Sequence, residues 1–115
     1  MSIVGKKNMG AIQNEADVVN ASLLKDDYEN YEFSPVAPLV DEPLTIIDPL
    51  AFGSIARAHT VIIRSDQNIT FKFNSTLKPA ISLSATEGVF TSNTLEVTNI
   101  FFNAPAGANI KVFMV

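Results

Sequence analysis

Ile69-Thr70-Phe71-Lys72-Phe73, closed by Asn74-Ser75-Thr76, is the stretch that decides the fold. Ile69, Phe71 and Phe73 point one way while Thr70 and Lys72 point the other, which is the two-residue period of a strand with one wet face. The same alternation returns at Ile81 and Leu83, at Leu95, Val97 and Phe101, and at Ile110, Val112 and Met114. Turn-forming clusters separate these segments: Ser65-Asp66-Gln67-Asn68, Thr86-Glu87-Gly88, Ser92-Asn93-Thr94 and Ala104-Pro105-Ala106-Gly107. Strands are therefore expected near Thr45 to Ile47, His59 to Arg64, Ile69 to Phe73, Ala80 to Ser84, Val89 to Thr91, Leu95 to Phe102 and Ile110 to Met114. Residues 50 to 58 fit either a helical turn or an irregular crossover. Short strands at this spacing, with no helical pattern between them, predict an all-β chain: a small antiparallel β-sandwich or jelly-roll-like module.

Upstream, the pattern changes. Residues 1 to 13 show no sustained period and read as an arm. From Asn14 to Tyr28, Ala16, Val19 and Leu23 recur at three- and four-residue spacing behind an Asn14 cap, which predicts a short amphipathic helix over 14–28. A helix of that length is marginal alone and needs a surface to pack on. Pro35, Pro38, Pro43 and Pro49 then fix φ and remove backbone donors, so this segment is expected to run extended over a surface, outside any sheet. The expected division is an N-terminal arm and Pro-rich acidic connector at 1–43, followed by a β-sandwich module at 44–115. Val19, Leu23, Val36, Leu39 and Val40 are the arm's candidate anchoring residues, laid either on the chain's own sandwich or on a neighbouring subunit.

With 115 residues the chain suits one small domain plus an appendage. Its 47% apolar and 17% charged residues are ordinary for a folded protein. The net charge of −4 is unevenly spread: residues 15 to 42 carry eight acids (Glu15, Asp17, Asp26, Asp27, Glu29, Glu32, Asp41, Glu42) against one base, Lys25. Such a strip reads as a solvated face or as a surface that docks on a basic partner. No Cys is present to form a disulfide or a thiolate metal site. Lys6 and Lys7 are not followed by an apolar signal core, and no apolar run approaches the roughly 18 residues of a membrane span, so synthesis in a cytoplasm is the expectation. The acceptor-like triplets at Asn20, Asn68 and Asn74 are read as turn chemistry.

Two of the expected strands are apolar on both faces. Ile100 and Phe102 oppose Val97 and Phe101, and Phe113 and Val115 oppose Val112 and Met114. A β region of about 70 residues rarely gains more than roughly 3 to 5 kcal/mol from one core without staples. Either the arm or another subunit is expected to cover the second face; Ile100, Phe102, Phe113 and Val115 are the candidate oligomer interface, and the expected state is a homo-oligomer, with a trimer as the candidate, or a protein ordered on a larger assembly.

The residues offer little chemistry. His59 is the single histidine, which rules out a multi-His metal site, and no metal or other cofactor is expected. Asp48, Asp66, Glu87 and Glu96 show no pairing pattern, and Ser34, Ser65, Ser75 and Ser92 lack an activating context, so no catalytic residue is assigned and the chain is not expected to be an enzyme. Arg57, Arg64, Lys72, Lys78 and Lys111 are scattered rather than striped, which argues against nucleic acid as a partner. Asn68, Asn74, Asn93, Asn99, Asn103 and Asn109 supply polar groups for a glycan, but the chain has no Trp and both tyrosines precede the expected β region.

Asp66 to Ser75, Ala80-Ile81-Ser82-Leu83, Leu95 to Asn103 and Asn109 to Phe113 together resemble the terminal β module of small tailed-bacteriophage virion proteins of the head-decoration, minor capsid and tail-accessory type. The shared pattern is a polar hairpin, an Ile-Ser-Leu strand, a Val-Thr-Asn-Ile strand and a final strand running to the chain end, and it covers roughly the last 50 residues. The resemblance implies a non-enzymatic structural protein of the virion. It would decorate or cement a capsid through an N-terminal anchoring arm, with the major capsid protein among its partners. The alternative is a host-facing adhesion or receptor- and glycan-binding module on the same fold.

Overall fold

The computed structural model describes residues 27–115. They form two four-stranded antiparallel sheets packed face to face. The strands are β1 (Glu29–Phe33), β2 (Leu39–Pro43), β3 (Val61–Ser65), β4 (Ile69–Phe73), β5 (Ile81–Leu83), β6 (Val89–Ser92), β7 (Ile100–Ala104) and β8 (Ile110–Met114), with one helical turn, α1 (Leu44–Ile47). The first sheet has the order β1-β8-β3-β6 and the second β2-β7-β4-β5. Strands pair as 1 with 8, 2 with 7, 3 with 6 and 4 with 5. This is the order of a long hairpin rolled up on itself, the jelly roll.

The alternation of β4 is the reason the sheets close. Ile69, Phe71 and Phe73 are buried, and Thr70 and Lys72 lie on the outer face. β8 repeats the pattern with Ile110, Val112 and Met114 inside. Aromatic rings then interlock across the two sheets: Phe71 meets Phe90 edge-on at 5.1 Å between centroids, and Phe33 meets Phe102 at 5.5 Å. Gly107, at φ +83°, supplies the left-handed residue that the tight β7–β8 connection requires.

Expectations are corrected at three places. The sandwich begins at Glu29, not at residue 44, because β1, just ahead of Pro35, and β2, within the Pro-rich segment, are both strands of the sheets. Prolines did not prevent this: Pro35 and Pro38 lie between the strands, Pro43 closes β2, and both strands are sheet edges, where a missing donor is tolerated. Residues 45–47 form part of α1 instead of a strand. Leu44 and Ile47, three apart, face the core from one helical turn, and the Asp48 N–H donates to the Leu44 carbonyl at 2.8 Å. Residues 48–60 are an irregular crossover that buries Ala51, Ile55 and Ala58.

The last correction concerns β7. Val97 makes only an isolated bridge with Ala58, and the regular strand restarts at Ile100. Asn74, at φ 71°, accepts at its Oδ1 from the Thr98 N–H (2.7 Å) and donates from Nδ2 to the Glu96 carbonyl (2.8 Å), which holds the break in place. The phase therefore slips by one residue. Ile100, Phe102 and Ala104 turn inward and Phe101 outward, since a one-residue slip exchanges the faces of a strand. The helix expected over 14–28 lies, but for its last two residues, outside the described residues, and Asp27 and Tyr28 are not helical.

Candidate interaction surface

Strand direction sorts the loops to two ends of the sandwich. Glu29 pairs with Met114, and Phe33 with Ile110, so the entry to β1 and the exit from β8 share one end. By the same register the segments 44–60, 74–80 and 93–99 also lie at this terminal end. The segments 34–38, 66–68, 84–88 and 105–109 lie at the far end.

The far end is tied by polar side chains. The Asp66 carboxylate accepts from the backbone N–H and from Nδ2 of Asn109, each at 2.8 Å, and the Ser34 hydroxyl donates to Asn109 Oδ1. Those donors hold the Asp66 carboxyl below its ordinary range. The Gly107 N–H donates to the Pro35 carbonyl at 2.7 Å. Asn68 Oδ1 accepts from the Ala85 N–H at 2.8 Å, and Glu87 accepts from Ser84.

The terminal end is anchored by a buried carboxylate. Glu29 is 5% exposed, and its Oε1 accepts from the Tyr31 hydroxyl and the Phe52 N–H, both at 2.6 Å. Its Oε2 accepts from the N–H groups of Ser54 (2.8 Å) and Ile55 (3.0 Å) and from the Ser54 hydroxyl (3.0 Å). Burial raises the carboxyl's pKa, but the bonds from Tyr31, Ile55, Phe52 and Ser54 outweigh it and leave the pKa below its ordinary value. Burial, the hydrogen bond to Glu29 and the charges of Glu29 and Asp48 push the Tyr31 phenol well up. The Tyr31 hydroxyl also lies 3.0 Å from the Leu50 carbonyl, and its single proton goes to the nearer, charged acceptor. Glu29 thus clamps the crossover to edge strand β1. Sequence reading had counted it in an acidic strip; Asp41 leaves that strip too. Asp41 Oδ1 accepts from Asn103 Nδ2 at 2.8 Å and from Lys72 Nζ at 3.0 Å, and both bonds lower its pKa.

The candidate interface residues separate. Ile100 and Phe102 are 0% exposed in the core of a single chain, so their assignment to an oligomer interface is corrected. Phe113 and Val115 stay half-buried, and Phe113 stacks on exposed Tyr28 at 5.8 Å beside Ile62, its partner across the strand pair. Of the arm's candidates, Val19 and Leu23 lie outside the described residues. Leu39 packs against the sandwich's own core, whereas Val36 and Val40 are exposed at a loop and on an edge strand.

Sequence reasoning missed the distribution of large exposed apolar residues. Tyr28, Ile46, Leu50, Leu77 and Leu95 all belong to the terminal end, and Leu77 is 94% exposed; among the described residues, only the valines 36, 40 and 89 are large apolar side chains exposed elsewhere. Strand direction was the signal, since it follows from counting strands between loops.

Asn68, Asn74, Asn99, Asn103 and Asn109 all bond within the chain, and they are spread over both ends and one outer face. Glu96 pairs with Arg57 at 2.6 Å on the surface. Among the described residues no three His, Cys, Asp or Glu side chains gather to hold a metal ion, and no helix is long and apolar enough to cross a membrane. No protein-family model, curated protein or solved structure matches this chain.

Proposed function

We propose that this protein is a non-enzymatic structural component of a virion that decorates or cements a capsid. Its terminal end is the attachment face, where copies cluster as a homo-oligomer and from which residues 1–26 reach other virion proteins, the major capsid protein among them. One observation carries this reading: the end at which the chain enters and leaves the sandwich is also the end that exposes Tyr28, Ile46, Leu50, Leu77 and Leu95. Large apolar side chains gathered on one part of a surface favour a partner there, because covering them removes apolar area from water. The far end, tied internally by polar side chains, suits the side that stays in solvent. The resemblance of residues 66–113 to virion β modules supplies the biological setting.

Removing residues 1–26 tests the anchoring role. The truncated protein keeps β1 and the Glu29 clamp, so it should melt as the full chain does yet fail to appear on purified particles. Incorporation at the full-length level, measured by quantitative mass spectrometry of the particles, would contradict the assignment.

A further inference from the structure

A shallow trough of about 470 Å³ crosses the outer face of the second sheet near the far end, and Leu39, Asn68, Thr70, Ser82, Asn103 and Pro105 are among the residues that line it. We propose that this trough binds a neutral, hydroxyl-rich ligand, of the chemical class of a short uncharged oligosaccharide.

Register builds the site. Thr70 of β4 stands opposite Ser82 of β5 on one side and opposite Asn103 of β7 on the other. Three polar side chains therefore form a row across adjacent strands, about 4.8 Å apart. Two flanking amides are fixed in orientation. Asn103 donates from Nδ2 to Asp41 and accepts from the Asp41 N–H at 3.1 Å, and Asn68 is held through its Oδ1 by Ala85. Among the described residues, the hydroxyls of Thr70 and Ser82 and the Asn68 amide nitrogen make no hydrogen bond within the chain, which leaves donors and acceptors aimed at solvent on a prearranged frame. The volume lies in the range of small-molecule sites.

Charge selects the ligand class. No ionisable side chain lines the trough, and the nearby Lys72 ammonium is engaged by Asp41. A phosphate, a sulfate or a carboxylated sugar would find no counter-charge. Hydroxyls and amides beside the apolar surface of Leu39 and Pro105 instead match a sugar, which presents hydroxyl edges around a carbon skeleton. No aromatic ring lines the trough to stack on a sugar face, so the affinity of one site is about millimolar, and useful binding comes from several copies acting together. The trough lies away from the terminal end and stays open when that end is covered. It does not depend on the virion reading.

The test is titration of the isotope-labelled full chain, followed by amide chemical shifts, with neutral trisaccharides of glucose, galactose, mannose and N-acetylglucosamine in α and β linkage. At least one should produce saturable shifts centred on Asn68, Thr70, Ser82 and Asn103, and a sulfated disaccharide should produce none. The double variant Thr70→Val, Ser82→Ala removes two outward hydroxyls without touching the core and should weaken that binding at least fivefold. The proposal is overturned by silence across the panel at about 20 mM, by shifts centred elsewhere, or by undiminished binding to the double variant.

Discussion

Replacing Glu29 with Gln should lower the unfolding free energy by about 3 kcal/mol, measured by denaturant unfolding. The side chain keeps its length and shape, so the loss reports the missing charge and the misplaced donor. Five donors converge on the native carboxylate, four of them from the crossover at Phe52, Ser54 and Ile55. An amide NH2 in place of one oxygen would face N–H groups that have no other acceptor. Acid should show the same dependence. The folded carboxyl has a lowered pKa, so its stabilisation is complete above the unfolded value of about 4.3 and is lost as pH falls through that value toward the folded one. The native chain should therefore lose stability as pH falls below about 5, and the Gln variant should lose less as the pH falls. Some acid sensitivity remains in the variant, because Asp41 and Asp66 are held in the ionised form in the same way. An unchanged acid limb in the Gln variant would remove Glu29 from this role.

The second large effect belongs to Phe102. Truncation to Ala should cost about 3–5 kcal/mol, because the ring is fully buried between Phe71 and Phe33 and its loss leaves a cavity. The same substitution separates a core residue from an interface residue. A core residue lowers the melting temperature at every protein concentration, and an interface residue would spare the monomer and shift only its association. Concentration-independent loss of melting temperature is the expected result. Unaltered melting combined with weakened association would return Phe102 to the interface.

These two residues also show what the sequence carried. Strands β3, β4, β5, β6 and β8 were legible because an alternating apolar face needs only local information, and the turn clusters between them restrict where each can end. β2 was hidden by prolines that turned out to occupy connections and a strand end, a distinction that depends on which strands are edges, and β1, just ahead of Pro35, was read as part of the same arm. The phase of β7 was unreadable because the break at Thr98 and Asn99 is imposed by Asn74, whose side chain reaches 22 to 25 residues along the chain. Glu29 looked like any surface acid. Its partners are mainly backbone N–H groups 23 to 26 residues away, and a backbone donor has no sequence signature. Of the four residues read as surplus apolar surface, Ile100 and Phe102 belong inside the sandwich and Phe113 and Val115 stay half-buried, while the exposed apolar remainder at the terminal end, Tyr28, Ile46, Leu50, Leu77 and Leu95, was not singled out.

That remainder is what the functional account depends on. Sedimentation velocity of the full chain at about 50 µM, where a complex of micromolar Kd is well populated, compared with the double variant Leu77→Glu, Leu95→Glu, addresses it most directly. Both side chains are exposed in loops, so the variant should fold and melt like the native protein. The account predicts that the native chain sediments as a defined oligomer and the variant as a monomer. A native chain that sediments as a monomer, indistinguishable from the variant, would contradict the assignment of the terminal end as an attachment face.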